Sequence, residues 1–585
     1  MIEQWLDKLP RANTGECARL YFGLLRDLNR TEIPDHDRFK ILEMCREPGE
    51  FIYQALIKHY HGLAFPLPAK KQQIAVLARE LECELALGYK IIVEDRINGK
   101  SSKIDRHTFH LALHRCCEHL GNVLLRSYLV YVQIPPHSWQ ELNSLYRYAE
   151  SHKLHLGELR DVGSSIDQIY KRIVLLHLAN PYRLRQSDIS KTHNLLQDWV
   201  KLADFIPVTK ATAQEGLYCV NLTHDLPPDY FLPDETKSYE EIRLLDTGKM
   251  IKHIHDNAGN YTHLSDSMEI SHHNSLSQHT LHQLLVTWSG GSKRHFTRSH
   301  HQNNVEVLIG LRAVHHFLIE GERTAAAKSQ GAKDVFRPTE SGIFEVRSKF
   351  KAGIAGPANI DVWNPSYTIA AHAEDYDIDF DSDTVAGSYR GRGAREDAGK
   401  QFETHVCASI DESATGYRLL WIPWEGKRPP LNVQVGELVA VRNKDAEGLN
   451  HWGIGIIRWL KNSANEKLEM GVEKLAPFGM AAGVRSKVKG KDTGDIQRAI
   501  ILPQIKALKQ PETLIVPALI DASRSLTLYH HGKNIPIKLS AIVDATGSVT
   551  QYEFLESSPG KVKARHDDKH SDEPAAEFDK IWNSL

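Results

Sequence analysis

The sequence has almost no net charge and no long apolar run. Its 72 basic and 74 acidic residues among 585 give a formal net charge of -2, which excludes a global field that draws the protein to DNA or an anionic membrane. No uninterrupted apolar run approaches the ~18 residues of a membrane-spanning helix, and residues 1–16 lack the basic start and apolar middle of a signal peptide. We therefore expect a cytoplasmic protein without membrane insertion, and any anion site must be local.

Cysteine is scarce and carries no metal or redox spacing. The seven cysteines are an odd number, they lie mostly within apolar helical patterns and they form no C-x-x-C motif, so we expect reduced core residues. Histidine is frequent at 32, with pairs such as His253-x-His255, yet no carboxylate-rich or Cys-His motif frames these pairs. The sequence therefore predicts no metal and no cofactor.

The common catalytic motifs are missing as well. There is no G-x-x-x-x-G-K-[ST] loop, no H-E-x-x-H, no G-x-S-x-G and no strand-linked G-x-G-x-x-G. Nothing supplies a paired acid and base at a recognisable spacing. We expect a binding protein rather than an enzyme.

Length and periodicity predict an α+β protein of several domains. Residues 1–285 read as an α-helical, solenoid-like array. One helix is predicted by apolar residues at steps of three and four, namely Phe109, Leu113, Cys117, Leu120, Leu124 and Tyr128. The next is predicted to start at the S-x-x-E capping box Ser138–Glu141. Its stripe of Trp139, Leu142, Tyr146 and Ala149 is similar to the first helix of a tetratricopeptide repeat.

The rest of the chain reads as two antiparallel β domains. The first covers 286–480 and carries an inserted, partly disordered segment at about 320–400. A basic linker, "RSKVKGKDTG", leads to a second small β-barrel-like domain at 490–557, and 558–585 reads as a flexible tail. Many short strands with turns at these intervals favour barrels over a parallel sheet.

Two short motifs carry the chemistry. Arg294 and Arg298, four apart in "SKRHFTRSHHQ", can fork onto phosphate oxygens and stack on purine faces if they lie on a loop, whereas on a helix they would project into water. In "CASIDESATGYRLLW", Asp411-x-Ser413-x-x-Gly416 interrupts two strand-like runs, and read alone it is equally a plain turn.

Together the two motifs resemble those of the PilZ domain, a six-stranded β-barrel that binds cyclic di-GMP. The later runs "VGELVAVR", "HWGIGIIRWL" and "LEMGVEKLAP" are similar to later PilZ strands. The resemblance covers 290–312 and 402–478. It implies that Arg294 and Arg298 clamp the phosphates and guanine faces. It further implies that Asp411 accepts hydrogen bonds from a guanine edge, that Ser413 bonds a phosphate or base, and that Gly416 lets the backbone approach closely.

One departure from the family pattern concerns spacing. Arg298 and Asp411 are 113 positions apart, so the insertion must loop out for the two motifs to meet. A rival group of Arg390, Arg392 and Arg395 lies closer to Asp411 in sequence but has the wrong spacing. Arg442 and Arg458 lie on later strands and either assist the site or belong to the barrel surface.

The resemblance implies a cyclic di-GMP receptor in which the ligand orders the arginine loop and alters how the β module packs on the helical array. The array would then act on a protein partner, in motility, pilus or biofilm control.

The alternative is a ligand-free scaffold whose degenerate barrel no longer binds cyclic di-GMP. RNA binding through "RGRG" is disfavoured by the near-zero net charge, and no DNA partner is expected. Whether one or two cyclic di-GMP molecules bind, and the oligomeric state, stay open.

Overall fold

The computed structural model describes residues 2–100, 104–209, 217–233, 239–262, 275–290, 303–329, 402–423, 431–443, 452–462, 467–488, 491–505, 510–518, 520 and 525–557. The tail at 558–585 and most of the insertion lie outside these ranges. Within them lie an N-terminal helical part, a small four-stranded sheet with further helices, and two closed six-stranded barrels.

The described residues up to 209 form a helical domain. Its α-helices are α1 (Ile2–Asp7), α2 (Thr14–Arg30), α3 (Asp35–Ile57), α4 (Ala69–Ile97), α5 (Arg106–Leu129), α6 (Ser138–Ser151), α7 (Ile166–Leu178) and α8 (Gln186–Trp199). Helix α5 is buried on nearly all sides, and the predicted stripe from Phe109 to Tyr128 is buried throughout. The central helix of the array is therefore shielded by its neighbours all round.

Helix α6 also buries its predicted stripe, but its start differs from the prediction. The N-cap is His137 in the left-handed region, and it makes no side-chain cap bond. Ser138 Oγ donates to Pro135 O at 2.8 Å, and the Glu141 carboxylate accepts from Lys90 Nζ at 2.9 Å. The predicted capping box is therefore wrong, because both of its side chains are bound to other partners. The tetratricopeptide-like character of the array stays a prediction.

A small sheet interrupts the region predicted to be all helical. It consists of β1 (Asp204–Pro207), β2 (Tyr218–Asn221), β3 (Asp229–Tyr230) and β4 (Ile242–Asp246), in the order β1-β4-β2-β3. Three further helices follow, α9 (Gly248–Asp256), α10 (Ala258–Tyr261) and α11 (Gln278–Trp288). The strands are only two to five residues long, too short for sequence periodicity to reveal.

The first barrel is closed by strands from both sides of the insertion. Its strands are β5 (Asn303–Ile309), β6 (His405–Ser413), β7 (Gly416–Trp421), β8 (Leu438–Asn443), β9 (Gly453–Asn462) and β10 (Leu468–Ala476), in the order β10-β7-β6-β5-β8-β9. Between β5 and the insertion lies helix α12 (Gly310–Ser329). Residues 320–329, predicted to belong to the insertion, are therefore the end of this helix.

The C-terminal barrel starts earlier than predicted. Its strands are β11 (Met480–Val488), β12 (Lys491–Leu502), β13 (Thr513–Pro517), β14 (Ser525–His530), β15 (Lys533–Ala545) and β16 (Val549–Glu556). The described residues of the expected basic linker belong to the β11–β12 pair, in which Ser486 lies opposite Thr493 and Lys487 opposite Asp492. Basic residues suit this position because alternate side chains of a strand can point to solvent.

The helical domain and the first barrel share one core. A continuous cluster of buried apolar residues runs from the helices into barrel residues such as Val305, Cys407 and Leu419. Helix α12 packs between the two barrels, where Val314 and Leu318 belong to the same buried cluster as Ile454 and Ile500. Large apolar interfaces of this kind hold domains in one arrangement.

One arginine joins the helical domain and both barrels. Arg185 Nε donates to Val435 O of the first barrel at 2.9 Å, and Arg185 Nη2 donates to Ser548 Oγ of the C-terminal barrel at 2.6 Å. In the same junction Thr546 Oγ1 donates to Gly436 O at 2.6 Å. The packing at Gly547 is close, since an added Cβ would lie 2.2 Å from Arg185 Nη1.

Candidate ligand-binding site

The candidate site lies where β5 and β6 run side by side. Asn303 is paired with Ser409 and Val305 with Cys407, although the two strands flank the long insertion. Because the pair is antiparallel, Asn303, the first described residue of β5, lies towards the end of β6 that carries Asp411. The insertion therefore does not interrupt the strand order.

The predicted arginines lie outside the described residues. Arg294 and Arg298 belong to the segment 291–302, which we call the arginine segment, and the structure describes the chain again from Asn303. The rival group of Arg390, Arg392 and Arg395 lies outside as well. The three residues of the second motif are all described.

Asp411 is buried next to a bulge in β6. The register shifts between Ser409 and Asp411, and the Asp411 side chain is only 5% exposed. Across the hairpin Asp411 is paired with Arg418, whose Nη1 lies 3.7 Å from Asp411 Oδ2. Arg418 also donates from Nη2 to Glu469 Oε2 at 2.8 Å, and this bond raises the pKa of the guanidinium. The carboxylate thus has a cation beside it.

Ser413 lies at the tip of the same hairpin. Its Oγ donates to Gly416 O at 3.4 Å and lies 3.5 Å from Thr415 Oγ1. Both bonds are long and the hydroxyl is partly exposed, so it can turn to another acceptor or donor. We call residues 405–421, which comprise β6, β7 and their turn, the motif hairpin.

Gly416 has a packing role of its own. An added Cβ would lie 2.6 Å from Val472 O on β10, a contact that the backbone cannot relieve without moving. Gly416 is paired with Glu473 of that strand. The glycine therefore permits the close approach of β7 and β10, and its predicted role in clearing space for a ligand stays a prediction.

Two cationic residues of the site were not singled out from the sequence. These are Arg418 and Lys474, of which Lys474 Nζ donates to Glu412 Oε1 at 2.6 Å. A hairpin with Ser413 opposite Gly416 fixes Asp411 opposite Arg418, so the sequence did contain a signal for that pair. Lys474 is more than fifty positions further along the chain, and no local pattern indicates its contact.

Arg442 and Arg458 are both held by carboxylates. Arg442 Nη2 donates to Glu306 Oε2 at 2.5 Å, and its guanidinium lies over the Trp452 ring. Arg458 donates from Nε to Glu473 and from Nη2 to Asp544 of the C-terminal barrel, both at 2.5 Å. The first residue belongs to the barrel surface and the second to the contact between the barrels.

The described residues give no sign of other chemistry. No group of three or more His, Cys, Asp or Glu within the described ranges could hold a metal ion. No helix in this part of the chain is long and apolar enough to span a bilayer. All seven cysteines are described and unpaired, and burial raises the pKa of Cys45 and Cys407 to about 12.

Comparisons with known proteins divide the chain into three regions, which correspond to the helical domain, the part that includes the first barrel, and the C-terminal barrel. Family models described as the N-terminal domain, the middle PilZ domain and the C-terminal beta-barrel domain of the cyclic-di-GMP receptor FimW match residues 1–209, 217–480 and 482–557. The chain is a PilZ-domain protein, and the first barrel is its PilZ domain. No solved structure matches the chain.

Within that class the match extends over the full length. A protein of Pseudomonas aeruginosa (strain PAO1), named "Cyclic-di-GMP receptor FimW", is 27% identical over 600 aligned residues that cover all of this chain and 95% of the relative. The chain belongs to the family of cyclic-di-GMP receptors that these three models describe. This family consists of binding proteins rather than enzymes, and its nucleotide is a ligand rather than a cofactor.

Proposed function

We propose that this chain binds cyclic di-GMP between the arginine segment and the motif hairpin. Arg294 and Arg298 clamp the phosphates and stack on the guanines, while Asp411 and Ser413 bind the polar edges. The observation that carries the proposal is the pairing of Asn303 with Ser409, which brings the chain of the first motif to the strand of the second.

Chain length limits how far the arginines can lie from the hairpin. Arg298 is five residues before Asn303, and five fully extended residues span at most roughly 17 Å. The Arg298 side chain adds reach of its own. The clamp therefore needs no unusual path, even though the sequence separates it from Asp411 by a long insertion.

The charges of the hairpin agree with this division of roles. Asp411 supplies a carboxylate acceptor, which matches the N–H donors on the Watson–Crick edge of guanine. The cations described at the hairpin, Arg418 and Lys474, are each bound to carboxylates of the barrel. The two phosphates of the ligand therefore need cations from another segment, and the arginine segment is the one that directly precedes Asn303, the partner of Ser409.

A buried hydroxyl marks the same end of the barrel. Ser409 is 3% exposed, and its Oγ has no hydrogen-bond partner among the described residues. A buried polar group of this kind is normally satisfied by a neighbouring segment, by water or by a ligand. Ser409 is paired with Asn303, so this buried hydroxyl belongs to the strand next to the residue at which the arginine segment joins β5.

The shared core indicates how binding is communicated. Separating the first barrel from the helical domain would expose a continuous apolar cluster, so a rigid-body separation is costly. We infer that the ligand acts by ordering the arginine segment, which changes the surface offered to a protein partner. The helical domain is the surface proposed for that partner, in motility, pilus or biofilm control.

Titration of the full chain with cyclic di-GMP tests the proposal. We expect saturable binding to cyclic di-GMP and much weaker binding to cyclic di-AMP, because adenine lacks the pair of N–H donors that Asp411 accepts. Asp411→Ala should weaken binding of the guanine ligand and reduce the discrimination between the two. Absence of binding at millimolar cyclic di-GMP would overturn the proposal and favour the ligand-free scaffold.

A further inference from the structure

Lys474 of β10 touches the motif hairpin at four places. Its Nζ donates to Glu412 Oε1 at 2.6 Å and to Ser413 O at 2.9 Å. Its backbone N–H donates to Thr415 O at 2.9 Å, and its ammonium lies 4.1 Å from the centre of the Tyr417 ring. One side chain and its own backbone thus hold both strands of the hairpin and the turn between them.

These contacts use most of the hydrogen-bonding capacity of the ammonium. A lysine has three N–H donors, of which two are bound here and the third can face the Tyr417 ring. The side chain is 26% exposed, so the carboxylate contact is partly shielded from water. Two of its three donors are thus committed to the hairpin, and Lys474 differs in this from the arginines assigned to the clamp.

Two of the hairpin residues that Lys474 contacts, Tyr417 and Ser413, show how this contact bears on ligand binding. Burial, and then the charge of Glu412, raises the pKa of Tyr417 to about 12, so the ring stays neutral beside the ammonium. Ser413 is the residue whose carbonyl Lys474 holds and whose hydroxyl is assigned to the ligand. Fixing the backbone at Ser413 fixes the position from which that hydroxyl points.

We propose that Lys474 is a positioning residue that holds the motif hairpin in the shape that binds ligand before ligand arrives. This inference rests on the proposed binding of cyclic di-GMP at the hairpin. Without the ammonium, only a fraction of molecules hold Ser413 and Asp411 correctly at any time. The apparent dissociation constant then rises in inverse proportion to that fraction.

The test compares cyclic di-GMP binding by the full-length wild type, Lys474→Met and Lys474→Arg. Methionine keeps an apolar stem of similar length and removes all donors, and we expect affinity about 10-fold weaker. Arginine restores the charge and the donors to Glu412 and should recover most of the loss. Lys538→Met, at an exposed lysine on β15, is the matched control and should bind as the wild type does.

Two further readouts separate positioning from direct contact. If Lys474 acts only through the hairpin, the slope of log Kd against log salt is the same for the wild type and Lys474→Met, since no phosphate contact is lost. Glu412→Gln combined with Lys474→Met should cost no more than Lys474→Met alone, because Lys474→Met already removes the bond to Glu412. A shallower salt slope for Lys474→Met would mean a direct phosphate contact and would overturn the positioning role.

The two proposals fail in different ways. A wild type that does not bind cyclic di-GMP contradicts the proposed function itself. A wild type that binds, together with a folded Lys474→Met that binds equally well, contradicts the role of Lys474 alone. Thermal unfolding of each variant establishes that the chains compared are folded.

Discussion

Asn303 and Ser409 lie directly opposite each other in the first barrel, although the chain between them includes helix α12 and the insertion. The register of this pair determines which end of β6 lies beside Asn303, the residue that follows the arginine segment. It also implies that the insertion contributes no strand to the closed order of six. The first prediction follows from this arrangement.

Replacing residues 335–396 by a flexible linker of about 20 residues should preserve both the fold and cyclic di-GMP binding. Shortening a loop changes its closure entropy only slowly, and such a linker spans roughly 25 Å on average. The deletion also removes Arg390, Arg392 and Arg395, so a calorimetric titration of the shortened chain tests the rival clamp. Loss of binding in a folded, shortened chain would place part of the ligand site in the removed segment, which includes the rival group.

Gly416→Ala should destabilise the chain by about 1–3 kcal/mol. The added methyl group would lie 2.6 Å from Val472 O, so β7 and β10 must move apart. The control is Gly23→Ala in α2, where an added Cβ meets nothing within 4 Å and where alanine favours the helix. Urea midpoints of the two variants should shift in opposite directions, and a neutral Gly416→Ala would contradict the close strand approach.

Asp544→Asn should loosen the contact between the two barrels. Asp544 accepts from Arg458 Nη2 and lies 3.7 Å from His279 Nε2 of α11, whereas Arg458 keeps its bond to Glu473 after the change. We expect a loss of about 1–3 kcal/mol, seen as faster hydrogen exchange in β15.

The matched control for that contact is Glu306→Gln. It breaks a similar arginine–carboxylate bond, but to Arg442 within the first barrel. Exchange in β15 should then be unchanged. If hydrogen exchange in β15 became faster by the same factor in both variants, the effect of Asp544→Asn would not be local to the barrel contact.

The stability of the junction near Arg185 should depend on pH through Glu437. Burial raises the pKa of Glu437 from 4.5 to about 7, against the lowering effects of the Gln434 backbone N–H and the Arg185 charge. Between these two pH values the folded chain holds a proton that the unfolded chain has lost. The free energy of unfolding therefore falls as pH rises from about 4.5 to 7.

Glu437→Gln removes this titration while keeping an acceptor for Gln434. The variant should be more stable than the wild type at pH 8, by roughly 1–3 kcal/mol, and the difference should vanish near pH 4.5. Urea midpoints at the two pH values measure this. An identical pH dependence for both chains would show that Glu437 ionises normally in the folded state.

The sequence predicted the barrels better than the regions around them. Alternating apolar residues and turn residues identified the strands that became β6 to β10, because that pattern reflects one buried and one exposed face. The same reasoning missed the strands β1 to β4, which are too short to show a period. It also treated a charged stretch as a linker, although Ser486 and Lys487 are paired within a barrel.

The candidate site was predicted in part. Asp411 and Ser413 were identified by their motif, and the two-residue turn could have revealed Arg418 as the neighbour of Asp411. Lys474 and Arg185 could not be found in this way. Their partners lie on strands and turns that only the tertiary fold brings together, and no local pattern records such contacts.

The most direct test of the central claim is a calorimetric titration of cyclic di-GMP into the wild type and into Arg294→Ala/Arg298→Ala. The control is Arg19→Ala/Arg147→Ala, which removes the same charge from exposed ion pairs of the helical domain. We predict that the double change in the arginine segment weakens binding at least about 100-fold, since two charge-assisted contacts are lost, while the control binds normally. Equal affinity of the wild type and Arg294→Ala/Arg298→Ala would contradict the account.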